Sequence, residues 1–243
     1  MLAIGGHDQA QLYCGDDEST GCGVTDIVLF GAGDIADVAT VYIERDSELN
    51  IVAYTVDDAF RHGDRFQGKP LVSWEALKEQ YPPDRYQLLG PLSYRRMNQF
   101  RRDRYLEGLD RGYRFASFIH PSCHIYSDQI GSNCFMLEAN VVQPFVTIGD
   151  NVMLWSGNHI GHHSTLGNHV FVGAQVGISG GATIGDESFI GGKTGIGSGC
   201  QVGKAAFIAE GCAINSNVAD HAVYLKPGTK PTKHHSSRIA RLM

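Results

Sequence analysis

The sequence predicts two architectures in series: an α/β unit on a small parallel sheet, then an all-β segment that winds as stacked parallel coils. Three observations predict this. Residues 27–39, IVLFGAGDIADVA, combine an apolar strand, a Gly-x-Gly turn and a helix start. From Ile130 to Ile214 every sixth residue is aliphatic or Met, fifteen times in succession. Glycine often follows, at 131, 149, 161, 167, 173, 185, 191, 197 and 203, as tight corners would want. No helix has a period of six, and a flat strand alternates every two residues, so the repeat predicts short strands joined by corners.

In the first half, the strand at 27 leads into a helix to about Arg45. A second strand (IVAYTVDD, 51–58), a helix near 73–80, a third strand (YQLLG, 86–90) and a helix near 93–110 follow. Alternating β and α units with right-handed crossovers form a parallel sheet, and a ligand belongs at the carboxyl ends of its strands. GAGDIA is similar to the dinucleotide fingerprint, and Asp57 and Asp58 lie near the distance at which an acid meets a ribose hydroxyl. About three strands are too few for a full NAD domain, so a mononucleotide site is the economical expectation. The alternative is that Gly31 and Gly33 merely permit a close strand-to-helix turn. Arg95, Arg96, Arg101, Arg102 and Arg104 are expected mostly on a solvated helix face, with one of the first two in reach of a phosphate.

In the second half, three hexads make one coil of 18 residues. Small or medium residues two before the aliphatic positions, such as Cys134, Ser164 and Ala182, are expected inside. Residues 18 apart then stack. His162, Gly180 and Ser198 share one corner, and Ala174, Gly192 and Glu210 another. The open edges of the end coils need covers from the segments before and after.

Composition excludes some functions. With 20 Lys+Arg against 26 Asp+Glu the net charge is -6, which gives nucleic acid no electrostatic reason to bind. No apolar run approaches membrane-spanning length, and the first residues lack a signal-peptide pattern, so a cytoplasmic protein without a membrane partner is expected. The six cysteines show no CxxC or metal-ligand spacing. Four histidines crowd into 155–169, WSGNHIGHHSTLGNH, yet none lies 18 from another. A metal there would need ligands from a second subunit, and no resident metal is expected.

The six-residue period is the hexapeptide repeat, and the chain resembles left-handed parallel β-helix acyltransferases. With a truncated Rossmann-like domain in front, it resembles bacterial nucleotide-sugar acyltransferases, both sialic acid O-acetyltransferase-like proteins and amino-sugar N-acetyltransferases. GAGDIADVA, YTVDD, LLGPLSYRR, and GNHIGHHSTLG followed one coil later by GISGGATIG carry the resemblance, over roughly residues 26–231. It implies a flexible arm (1–24), a Rossmann-like nucleotide-sugar-binding domain (25–118), a left-handed β-helix acyltransferase domain (119–225) and a basic tail (226–243). It also implies a homotrimer, with acetyl-CoA between neighbouring β-helices and a nucleotide-linked amino sugar as acceptor. By the same resemblance Gly31, Ala32, Gly33, Asp34, Asp57, Asp58, Gly90 and Arg95 match nucleotide-binding segments, and Phe171, Gly192 and Glu210 match CoA contacts.

His162 aligns with the catalytic histidine of the family. An imidazole is well poised to take a proton from an attacking amine or hydroxyl, and a corner N–H such as that of Gly180 could hold the oxyanion. His163 and His159 are alternative bases, and His169 is expected at the surface or beside CoA. Many relatives place Glu or Asp next to the catalytic histidine, whereas here its neighbours are Gly161 and His163. An imidazole is not expected to replace that carboxylate, so either an acid elsewhere, such as Glu138 or one from another subunit, orients His162, or the base works unaided on an already neutral amine. The basic tail, with LKPGTKP where relatives have GxPAK, either meets the CoA phosphates or is a solvated extension. N-acetylation is expected ahead of O-acetylation, with a zinc-dependent hydratase and a non-catalytic ligand-binding scaffold as the remaining alternatives.

Overall fold

The computed structural model describes residues 24–228. The arm up to Gly23 and the tail from Thr229, with Lys230, Lys233, Arg238 and Arg241, lie outside the described residues. Strand β1 (Thr25–Phe30) is followed by α1 (Asp34–Asp46), β2 (Leu49–Val56), β3 (Arg65–Phe66), β4 (Lys69–Ser73), α2 (Leu77–Gln80), β5 (Gln87–Leu89) and α3 (Gln99–Asp110). The sheet order is β3-β4-β2-β1-β5, parallel throughout except at β3.

Three expectations are corrected by these elements. The sheet has a fourth parallel strand, β4, which carries only Leu71 and Val72 as buried apolar residues, too short a run to signal a strand. The helix expected near 73–80 shrinks to Leu77–Gln80, with Trp74 buried ahead of it. Helix α3 starts at Gln99 rather than 93, because Arg96, Met97 and Asn98 all have positive φ (54°, 53° and 62°), which no α-helix accepts.

From Phe118 the chain winds through two-residue strands on three parallel faces. One face, called the platform here, contains Phe135–Met136, Met153–Leu154, Phe171–Val172, Phe189–Ile190 and Phe207–Ile208. A second contains Val141–Val142, His159–Ile160, Gly177–Ile178 and Gly195–Ile196. The third contains Thr147–Ile148, Thr165–Leu166 and Thr183–Ile184. In each of these pairs the register is 18 residues and the second residue points inward, while the first coil pairs at 17, as in Phe118 with Phe135 and His124 with Val141. Ile160, Ile178, Ile184 and Ile190 are 0 % exposed. The last coil shortens: Val218 rather than residue 220 pairs with Val202.

The corner glycines serve mainly close approach between coils. A Cβ on Gly161 would stand 2.5 Å from the Gly180 nitrogen of the coil above. The left-handed corner position two residues on is filled mostly by other residues, among them Asn151, His163, His169 and Glu187, with Gly199 an exception.

The α/β unit covers the platform face. Outward-facing Phe135, Met153 and Phe171 join Ile27, Leu29, Ala39 and Ile43 in one core, and Phe171, Phe189 and Phe207 stack at 5.3 and 5.0 Å. One edge of this seam is polar. Asn133, Asn151, His169 and Glu187 occupy one corner of successive coils, linked by Asn133 Nδ2 to Asn151 Oδ1 (2.9 Å) and by Asn151 Nδ2 with His169 Nδ1 (2.8 Å). Arg101, fully buried, donates to the carbonyls of Asn151 and His169 and to Asn98 Oδ1. Asn98 in turn donates to the Glu187 and Ser188 carbonyls (2.9 and 3.1 Å). Arg102 pairs with Glu187 (2.9 Å) and Arg104 with Asp57 (2.9 Å). The solvated arginine face expected from sequence is therefore corrected in part: Arg101 and Arg102 fasten α3 to the coils and Arg104 holds Asp57 within the α/β unit, while Arg95 and Arg96 are exposed.

Truncating Ile160 to Ala should cost about 2–5 kcal/mol, by transfer and cavity terms together, while the outward Thr165→Val should change stability by under about 0.5 kcal/mol; denaturant titration separates them. A second expectation concerns His169, which is 9 % exposed and so corrects its expected surface place. Burial first, then the Arg101 charge, hold its imidazole down at about 4 from an ordinary 6.5. Between these values the unfolded chain binds a proton that the folded chain refuses, so stability falls as pH drops from about 6.5 to about 4. The full contribution is about 3 kcal/mol, and the denaturation midpoint of His169→Gln should lack that part of the fall.

Candidate active site

The corner between the second and third faces is the one vertex not touching the platform. His162 and His163 sit there, both exposed. The His162 backbone N–H donates to Gln143 Oε1 at 2.8 Å, fixing its base from the coil below. Its ring lies against Gly180 of the coil above: a Cβ there would stand 2.7 Å from Cε1 and 2.8 Å from Nε2. Glycine at 180 is thus a space requirement of this imidazole. His162 Nδ1 lies 3.0 Å from His163 Nδ1, with the rings nearly perpendicular. His163 also packs on Phe145, itself 72 % exposed, with ring centres 4.7 Å apart. Ser198, third in the column, donates to the Gly180 carbonyl at 2.9 Å.

The other histidines separate. His159 faces outward on the second face, and His169 belongs to the polar seam. Among the described residues no three His, Cys, Asp or Glu side chains converge as a metal site would require.

The residues matched to CoA contacts divide over the molecule. Gly192 and Glu210 stack on the corner between the platform and the second face, where Glu210 is exposed and 3.9 Å from Lys193. Gly180 is one face away. Between these corners Gly177 and Gly195 point outward with nothing within 4 Å of a would-be Cβ, leaving bare backbone that a slender chain could lie along. Phe171 is different. Its ring is 5 % exposed beneath Tyr94, Trp155 and Phe189, so the side chain serves the seam.

The residues matched to nucleotide binding gather at the carboxyl ends of β1, β2 and β5. Gly31 (φ 133°) leaves β1, and its N–H donates to the Thr55 carbonyl. Gly33 caps α1 without a side-chain hydrogen bond, so no capping side chain satisfies the first-turn N–H groups, the donors an anion would use. Asp34 opens the helix. Asp57 is held by Arg104; burial raises its pKa and Arg104 opposes the rise. Asp58 is exposed and pairs with Arg61 at 3.4 Å. Arg95 is exposed, its guanidinium over the rings of Phe60 and Phe100. Gly90 is buried, and its N–H is occupied by Asn133 Oδ1 at 2.8 Å, so it has no donor left for a phosphate.

Glu138, the candidate acid for His162, lies on the platform corner and accepts from Tyr42 Oη at 2.7 Å. Within one chain it is a face away from His162. The α/β rim and His162 likewise stand on opposite sides of the prism, because the α/β unit covers the platform and His162 occupies the facing vertex. The periodicity could have revealed the Asn133, Asn151, His169, Glu187 column, all 18 apart. Nothing local marked Arg101 as its partner.

Residues 145–180 match the family model described as bacterial transferase hexapeptide (six repeats). No curated protein matches the sequence significantly. Among solved structures, the chain is similar to the acetyltransferase domain of PglB from Neisseria gonorrhoeae FA1090 in complex with acetyl coenzyme A (20 % identity, TM-score 0.71, covering 83 % of this chain and 96 % of that one). It is similar to PerB from Caulobacter crescentus in complex with CoA and GDP-perosamine (20 %, TM-score 0.69, 84 % and 95 %). WeeI from Acinetobacter baumannii AYE is a third such structure (16 %, TM-score 0.70, 82 % and 96 %). Segment 145–180 thus carries the transferase hexapeptide repeat, and the chain shares its fold with these proteins.

Proposed function

We propose that the protein is an acetyl-CoA-dependent N-acetyltransferase acting on a nucleotide-linked amino sugar by direct transfer, with His162 as general base. The observation that carries this is the His162 imidazole, exposed at a corner, seated on a glycine, with Nε2 uncommitted within the described residues. The similar structures support it: the PglB domain holds acetyl-CoA, PerB holds CoA and GDP-perosamine, and perosamine N-acetyltransferase was crystallised with one histidine replaced by asparagine.

In the proposed reaction the sugar amine attacks the thioester carbonyl and His162 Nε2 takes the proton the nitrogen sheds. The Gly180 N–H is free of intrachain acceptors among the described residues and would stabilise the oxyanion. The C–S bond then breaks and the thiol leaves with the proton. Gly177 and Gly195 would leave room for the pantetheine arm, with Gly192 and Glu210 beside it. Gly31, Ala32, Gly33 and Asp34, then Asp57, Asp58 and Arg95, would take the nucleotide; Gly90 would contribute shape rather than a donor.

We also propose that the hand of the coil is left and that the front unit (25–118) is Rossmann-like, with the coil as 119–225. A homotrimer is part of the proposal, since only a second copy can bring an α/β rim to the His162 corner. The buried free thiols Cys123, Cys134, Cys200 and Cys212 suit the cytoplasm. An amine acceptor is favoured over a hydroxyl because among the described residues no carboxylate bonds to His162, and an amine needs a weaker base.

Thiol release from acetyl-CoA with UDP-, dTDP- and GDP-linked amino sugars should turn over one of them, and His162→Ala should lose at least about a hundredfold. Silence of the wild type with all of them sinks the proposal; turnover of a hydroxylated analogue without the amine makes it an O-acetyltransferase. Gly180→Ala should displace the imidazole and lower kcat about tenfold or more, with the thermal midpoint nearly unchanged. In sedimentation the mass should be three times the 26.4 kDa chain.

A further inference from the structure

We propose that His163 is the positioning residue for His162, its Nδ1 accepting the Nδ1–H of His162 and so holding the tautomer whose Nε2 is free to take a proton. The proposal rests on His162 being the base. It departs from the expectation that an imidazole does not replace the carboxylate that relatives have there.

The two Nδ1 atoms are 3.0 Å apart, so the contact holds one proton and has two arrangements. If His163 donated, His162 would carry its proton on Nε2 and spend its only lone pair on the contact. No base would remain. If His162 donates, its Nε2 lone pair is open and His163 carries its own proton on the exposed Nε2. The second arrangement also survives the reaction. When His162 gains a proton on Nε2, its Nδ1–H becomes charge-assisted toward a neutral acceptor already in place, which strengthens the bond.

The surroundings hold both rings for this. His163 has φ 59° at the corner, its N–H donates to the Pro144 carbonyl at 3.3 Å, and Phe145 supports its ring. His162 is held by Gln143 below and by Gly180 above. No carboxylate hydrogen-bonds to either imidazole among the described residues, and Glu138 is engaged by Tyr42 on another corner. A neutral acceptor supplies orientation and tautomer without the negative charge that would make His162 more basic.

Nitrogen-15 NMR of the full chain labelled at histidine tests the pairing without any substrate. His162 should show a protonated Nδ1 and a bare Nε2, and His163 the reverse, with the signals assigned from His162→Ala and His163→Phe. The opposite tautomers overturn the proposal. In the thiol-release assay His163→Phe keeps a ring on Phe145 but has no acceptor; kcat should fall about ten- to a hundredfold with both KM values within about twofold. His163→Asn, whose amide oxygen can accept the same proton, should recover most of that loss. Equal kcat for wild type and His163→Phe, at equal thermal midpoints, overturns the positioning role. A wild type silent in every acetyl-transfer assay sinks the acyl-transfer proposal instead, while the tautomer spectrum still decides the pairing.

Discussion

The closure of each coil at 18 residues is the constraint on which the rest of the structure depends. Each face must offer one aliphatic residue to the interior, and each strand must meet its copy at the spacing of a parallel ladder. That spacing brings corner backbones so close that Gly161, Gly173 and Gly191 cannot carry a Cβ without striking the next coil. The same rule turns sequence separation into geometry. Side chains 18 apart become columns, and the chemistry is organised by column: Pro144, His162, Gly180 and Ser198 on one corner, Asn133, Asn151, His169 and Glu187 on another.

The second of these columns explains how the two units become one body. The platform face supplies apolar area through its phenylalanine stack, which is non-directional and would tolerate sliding. The polar edge supplies direction. Arg101, buried without a carboxylate partner among the described residues, reaches carbonyls that exist only where coils turn, and Asn98 reads the next coil in the same way. A buried cation is a costly fastener, but its hydrogen bonds can be made in a single register, so it sets where α3 sits and with it the carboxyl ends of β1, β2 and β5.

That placement has a functional consequence. The sheet rim and the histidine corner are built by one chain yet face away from each other, so the proposed site, which combines them, needs a second copy. At the corner itself the chemical means are few: one imidazole with an open Nε2, a neighbouring imidazole on its other nitrogen, and a glycine whose missing side chain leaves the ring its place. Among the described residues no carboxylate bonds to this imidazole, which suits the proposed amine acceptor.

Sequence alone determined the coil, because a six-residue aliphatic period has one physical meaning and is read locally at Ile160, Leu166 and Val172. It also determined that His162 shares a corner with Gly180, since stacking at 18 is arithmetic. The strand at Lys69–Ser73 stayed hidden because two apolar residues behind a proline carry too little pattern, and its burial comes from β2. Only the tertiary structure decided that Arg101 and His169 are interior, that Phe171 turns to the seam, that Gly90 has surrendered its N–H to Asn133, and that Glu138 belongs to Tyr42. The physical reason is common to all five. Each role is set by a partner between about 40 and 100 residues away, or by a packed face, and neither composition nor periodicity encodes which distant group arrives.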